Sequence, residues 1–113
     1  MTRTAYYMRT STHLQNTDRQ DEKVEKGWRL YQDKGISGKV QFADRTMGQK
    51  LLADARNGLI DEVKVIHLDR LGRNTEDVLK TIRTFHEYNV SIHIIKQGIH
   101  TLVDGEENFT TKL

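Results

Sequence analysis

The sequence predicts an α/β fold built on a mostly parallel sheet. Strand-like apolar runs alternate with segments of helical period, and the series both begins and ends with a strand. The predicted helices are closed by glycine or asparagine (Gly27, Gly58 and Asn89) in a chain that has no proline. At 113 residues the chain can bury one modest core and not two, which makes it a single domain.

Residues 5–11 open the fold as a buried strand that gives way to small hydroxylated residues. Alternate side chains share a strand face, so Tyr7, Arg9 and Ser11 project together, with Ser11 at the carboxyl end. Residues 12–26 come next as a short or loosely docked helix. Leu14 and Val24 are its only aliphatic side chains, and residues 18–25 are nearly all charged. Residues 28–31 read as a second strand, and residues 32–43, with Gly35 and Gly38, as an aperiodic mobile loop. Asp44 is placed to cap a helix over about 46–57, with Met47, Leu51, Leu52 and Ala55 on one face.

The clearest strand is 62–68, carried by Val63, Val65, Ile66 and Leu68. Asn74 or Thr75 caps the next helix, whose core stripe is Val78, Leu79, Ile82 and Phe85. Val90, Ile92 and Ile94 alternate as a fourth strand, and residues 99–103 supply a possible fifth at the edge. Residues 1–103 then form the domain, and 104–113 read as the start of a further helix or linker. Right-handed crossovers and short connections give the strand order 2-1-3-4 with the first strand central. The topological switch point falls between strands 1 and 3 at their carboxyl ends, where open α/β sheets bind ligands.

Composition excludes several classes. No apolar run approaches membrane-spanning length, and the amino terminus has no signal-peptide pattern. With no cysteine there are no disulfides and no thiolate metal sites, which fits a reducing compartment. The five histidines (His13, His67, His86, His93 and His100) lack ligand spacing, and no Gly-rich nucleotide fingerprint occurs, so neither metal nor cofactor is expected. The net charge of +2 says little about a polyanionic partner, although basic residues are concentrated in the first sixty positions. Where the arginines stand says more.

Strand 1 brings Arg9 and Ser11 to the switch point, and strand 3 brings Asp69, Arg70, Gly72 and Arg73. Arg70 and Arg73 stand three apart at a helix entry, beside backbone N–H groups that favour anions. Guanidinium forks and a hydroxyl converging on one cleft suit displacement at a phosphodiester: the forks hold the non-bridging oxygens while the hydroxyl attacks phosphorus. Gly72 would allow a close backbone approach to the ligand. Tyr7 reads as a wall of the cleft, and no residue stands out as a base for Ser11, His13 reading as solvent-facing.

Taken in order, Tyr7-x-Arg9-x-Ser11-Thr12, Ile36-Ser37-Gly38, Asp44-Arg45, Leu68-Asp69-Arg70-Leu71-Gly72-Arg73 and Gly98-Ile99 resemble the catalytic domain of serine recombinases, the resolvase/invertase group. The likeness spans about residues 4–105. It implies a three-layer resolvase-like fold and a DNA strand transferase in which Ser11 forms a 5′-phosphoserine link, releases a 3′-hydroxyl, and religates without ATP. It further implies that Arg9, Arg70 and Arg73 hold the scissile phosphate, with Arg45 and Gln20 contributing, and that Asp69 orients the arginines or takes part in proton transfer. The implied partner is double-stranded DNA at a recombination site, in the cytoplasm of a bacterium or on a plasmid, transposon or phage. The implied parent is a homodimer or homotetramer, whereas this fragment is expected to be monomeric or weakly associating and inactive in full recombination.

Blander readings stand beside these. A lone serine after a strand is usually a turn or cap residue, and Asp69 with Arg73 could be an i,i+4 surface pair. A catalytically silent relative acting in assembly or DNA association is the main alternative, and intact Arg9, Ser11, Arg70 and Arg73 count against it. A receiver-like domain would need paired acidic residues where Arg9 and Ser11 stand.

Overall fold

The computed structural model describes residues 3–11 and 23–108. Strands β1 (Thr4–Thr10), β2 (Arg29–Lys34), β3 (Glu62–Val65), β4 (Ser91–Ile94) and β5 (Ile99–His100) form one sheet in the order β2-β1-β3-β4-β5. The first four are parallel, and β5 returns antiparallel beside β4. This is the expected order, with the fifth strand at the edge.

Register explains which face is core. Ala5, Val63 and Ile92 are lateral neighbours, and Tyr7 lies beside Tyr31. These side chains share one face, and on it pack α1 (Thr46–Arg56) through Leu51 and Ala55, and α2 (Thr75–Glu87) through Val78, Ile82 and Phe85. Met47, Leu52 and Leu79 fill the rim of that core. Tyr6 and Met8 point to the opposite face, where Tyr6 stacks on Trp28 with ring centroids 5.9 Å apart. Of the helix expected over residues 12–26, residues 12–22 lie outside the described residues. Residues 23–26 carry no helix and lead into a turn through Gly27 at a φ of 99°. No helix among the described residues is long and apolar enough to cross a membrane.

Other boundaries differ for identifiable reasons. Strand β2 starts one residue later than expected and runs on to Lys34, because Asp33 has buried partners that hold it beside Arg9. The expected loop is therefore shorter, and it ends in a 3-10 turn, Phe42–Asp44. Asp44 belongs to that turn and does not cap α1; the cap position is Arg45. Strand β3 stops at Val65, since residues 68–71 wind into a second 3-10 turn, Leu68–Leu71. Beyond β5 no helix starts at residue 104. Instead β6 (Leu102–Val103) and β7 (Glu106–Glu107) form a hairpin whose turn residues, Asp104 and Gly105, have φ of 52° and 81°. Positive φ at both central positions is the preferred tight hairpin turn, and Asp-Gly is a sequence suited to it.

Candidate active site

The carboxyl end of β1 and the turn leaving β3 meet. The Arg70 side chain, carried by the 3-10 turn after β3, donates from Nη1 to the Arg9 carbonyl oxygen at 2.8 Å. Arg45 Nη1 in turn donates to the Arg70 carbonyl oxygen at 2.7 Å. These two bonds close a chain of contacts from α1 through the turn to β1. Beside it lies a cleft of about 440 Å³, walled by Arg9, Gly38, Asp69, Arg73 and the first turn of α2.

Each arginine is held differently. Arg9 is half-buried and donates from Nη1 to the Ile36 carbonyl oxygen at 2.8 Å, while its buried Nε has no hydrogen-bond partner among the described residues. Burial lowers its pKa from the ordinary guanidinium value, and the charges of Arg45 and Arg70 push the same way. Such mutual repulsion is relieved by an anion. Arg73 and Asp69 are exposed on the cleft wall. Ser11 is half-buried immediately beyond β1, two residues from Arg9, and is not among the described wall residues.

Arg45 lies elsewhere than the sequence suggests. It is 0% exposed, and its guanidinium donates to the carbonyl oxygens of Val40, Gly38 and Arg70 and to the Tyr7 hydroxyl. In this conformation it braces the loop between β2 and α1 and does not face the cleft. Tyr7 is likewise no cleft wall. It is fully buried, edge-on to Phe42 with centroids 4.9 Å apart, and its hydroxyl donates to Asp33 Oδ2 at 2.7 Å. Burial is the main reason that phenol is held well above its ordinary pKa, so it stays protonated and donates. Gln20 lies outside the described residues.

Two carboxylates that sequence reasoning passed over organise this end of the molecule. Asp33, 2% exposed, accepts from the Met47 and Gly48 backbone N–H groups at 2.8 and 3.2 Å as well as from Tyr7. It thereby does for the start of α1 what an adjacent cap would do. Its signal was strand parity, since it shares a face with Tyr31 and lies beside Arg9. Asp77, in the first turn of α2, accepts through Oδ2 from the backbone N–H groups of Arg73 and Phe42 at 2.9 and 3.1 Å. It ties the two 3-10 turns together and leaves its own N–H to the Asn74 side chain at 2.8 Å.

Gly72 is required for a reason other than ligand approach. A Cβ there would stand 2.6 Å from Val78 N and 2.8 Å from Asp77 Oδ2, so the chain's own helix occupies that space.

Comparison with known proteins identifies the family to which this fold belongs. The family model for the resolvase N-terminal domain matches residues 4–112. The transposon Tn2501 resolvase of Escherichia coli is 34% identical over 104 residues, covering 87% of this chain and 52% of that protein. The serine recombinase PinR of Escherichia coli strain K12 is 32% identical over 103 residues, again 87% of this chain and 52% of the relative. The chain thus spans about half the length of the curated relatives it matches. Among solved structures, the N-terminal catalytic domain of TP901-1 integrase superposes with a TM-score of 0.69 at 26% identity, covering 89% of this chain and 82% of that one. A resolvase family site-specific recombinase from Streptococcus pneumoniae shares the fold, with a TM-score of 0.67 at 21% identity over 99% of this chain and 82% of that one. With the family model matched along nearly its whole length, the chain belongs to the resolvase N-terminal domain family, the catalytic domain of the serine site-specific recombinases.

Proposed function

We propose that this domain cuts and rejoins double-stranded DNA through Ser11. The Ser11 Oγ attacks a backbone phosphorus; the P–Oγ bond forms as the P–O3′ bond breaks, the hydroxyl proton leaves, and the departing 3′-oxygen takes up a proton. The products are a 5′-phosphoserine link and a free 3′-hydroxyl. Attack by a 3′-hydroxyl on the link reverses the step, so bond energy is conserved without ATP. Arg9, Arg70 and Arg73 hold the non-bridging oxygens, and their charge is worth most where water is excluded. Asp69 orients these guanidiniums or carries a proton. Arg45 acts one step back as a positioning residue, through the Arg70 carbonyl. Gln20 remains a proposed phosphate contact.

The observation that carries this reading is the Arg70-to-Arg9 bond, which unites the two arginine-bearing segments beside one cleft. The relatives named are bacterial, and the reading places the chain on DNA in a bacterial cytoplasm. Its longer parent acts as a homodimer or homotetramer, while the isolated domain associates weakly and does not complete recombination. Residues 1–103 would form the catalytic domain, with residues 104–113 joining it to the rest of that parent.

The test is Ser11→Ala in the longer parent, assayed for protein covalently attached to a DNA 5′ end. The expected result is complete loss of the adduct with DNA binding retained; an undiminished adduct would refute the nucleophile assignment.

A further inference from the structure

The face of the sheet opposite the helices carries a second cluster of chemically capable side chains. Strand register assembles it. Lys64 on β3 lies beside His93 on β4, and His93 lies opposite His100 on β5. Glu62 shares the Lys64 face two residues earlier. Sequence spacing hides the grouping because each ligand-type residue comes from a different strand.

The geometry is that of a cation held by Lewis bases. The Lys64 ammonium stands 2.8 Å from His93 Nδ1 and 3.2 Å from Glu62 Oε1. Glu62 Oε2 lies 3.5 Å from His100 Nδ1, and the two imidazoles stack with centroids 4.1 Å apart. An ammonium has donors and no acceptor, so His93 Nδ1 presents a lone pair to it. One ligand atom each from Glu62, His93 and His100 fall within 4.8 Å of one another. Lys64 also lies 5.2 Å from the Trp28 ring centroid, and its side chain is only 14% exposed.

We propose that Glu62, His93 and His100 form a binding site for a divalent transition metal ion, Zn(II) or a close relative, with the Lys64 ammonium occupying the cation position until the ion displaces it. Two imidazoles and a carboxylate are a donor set suited to Zn(II), Co(II) and Ni(II), leaving a coordination position for water. Coordination at about 2 Å requires the ligand atoms to draw in by roughly an ångström, and the two rings, 10° from parallel, to turn until their in-plane lone pairs converge. His100 can supply that movement: its side chain is 48% exposed on the short edge strand, and it borders a cavity of about 480 Å³. The retreating Lys64 keeps its proton and swings its flexible stem toward solvent. A bound ion would fasten the edge strand β5 to β3 and β4. The site lies on the face opposite the arginine cleft and is independent of the proposed DNA chemistry.

The experiment is equilibrium dialysis of the untagged chain against Zn(II), with Co(II) visible spectroscopy reporting the ligand field. The expected result is one ion per chain, with affinity lowered at least about tenfold in His100→Gln and in His93→Gln. Lys64→Met, which removes the competing cation, is expected to tighten binding by about tenfold or more. His67→Gln, a histidine outside the cluster, is expected to change nothing. Absence of saturable binding at 100-micromolar Zn(II) (about 100 times a micromolar Kd) would overturn the proposal. So would unchanged binding in the His93/His100 double variant, or weaker binding in Lys64→Met. His100 is exposed, so its variant keeps the test decisive should His93→Gln disturb the fold.

Discussion

Arg45 takes a cationic guanidinium to a place with 0% exposure and, among the described residues, meets no carboxylate directly. Three carbonyl oxygens and a phenol receive it, and the phenol relays the charge to Asp33. Removing it would deprive the buried Tyr7 hydroxyl and three part-buried carbonyl oxygens of this donor, at up to about 1–3 kcal/mol for each one left unmet. Arg45→Met is therefore expected to lower stability by about 2–4 kcal/mol, a fall of roughly 10 °C in the thermal midpoint. Arg73→Met, at an exposed position, should stay within about 0.5 kcal/mol. Circular dichroism melts of both variants decide the point, and equal midpoints would mean that the guanidinium does not brace the loop. That Arg9 lies on β1 with Ser11 just beyond its end was legible in the sequence because strand alternation is local. Arg45 and Asp33 were not: a long side chain reaches in any direction, and no spacing rule says which aspartate lies beneath which helix. Asp54 makes the same point, since it accepts from the Tyr31 hydroxyl at 2.6 Å across 23 residues.

The two described helices begin by contrasting means. Asn74 caps α2 from the adjacent position, accepting from the Asp77 N–H at 2.8 Å, and is one of the two residues the sequence offered for that place. Asn74→Ala should cost about 1 kcal/mol. Urea unfolding is expected to show a lower midpoint at unchanged slope, with Thr75→Ala nearly neutral. An equal loss in both variants would locate the cap elsewhere. Helix α1 is served from a strand through Asp33, fourteen and fifteen residues before the N–H groups it satisfies. A neighbour-based rule assigned that task to Asp44, which is exposed in the preceding 3-10 turn. The hairpin after β5 was legible in principle, because Asp104-Gly105 between Val103 and Glu106 is a turn signal of the kind that outranks a weak helix start.

The topology of the whole molecule was readable because handedness leaves few choices: three crossovers and a central first strand dictate β2-β1-β3-β4. The same rule put the arginine-bearing ends side by side, and the Arg70-to-Arg9 bond is its outcome. Side-chain commitments inside that arrangement were beyond it, since they depend on packing across the sheet. For DNA binding the expectation is set by phosphate contacts alone. Each phosphate neutralised lowers affinity roughly 3.5-fold between 50 and 200 mM salt, independent of sequence, so the slope counts the phosphates held beyond the scissile one. Fluorescence anisotropy with two unrelated duplexes measures this, and a flat salt response would contradict an arginine-based grip.

The crowding at position 72 reaches beyond energetics into heredity. The residue there has an extended backbone that any amino acid could adopt, with a φ of −179°. What bars substitution is the Val78 amide and the Asp77 carboxylate standing where even a methyl group would go. Random mutation of that codon should therefore be purged before its effect on DNA chemistry is ever tried, since every replacement first pries the helix away from the arginine turn.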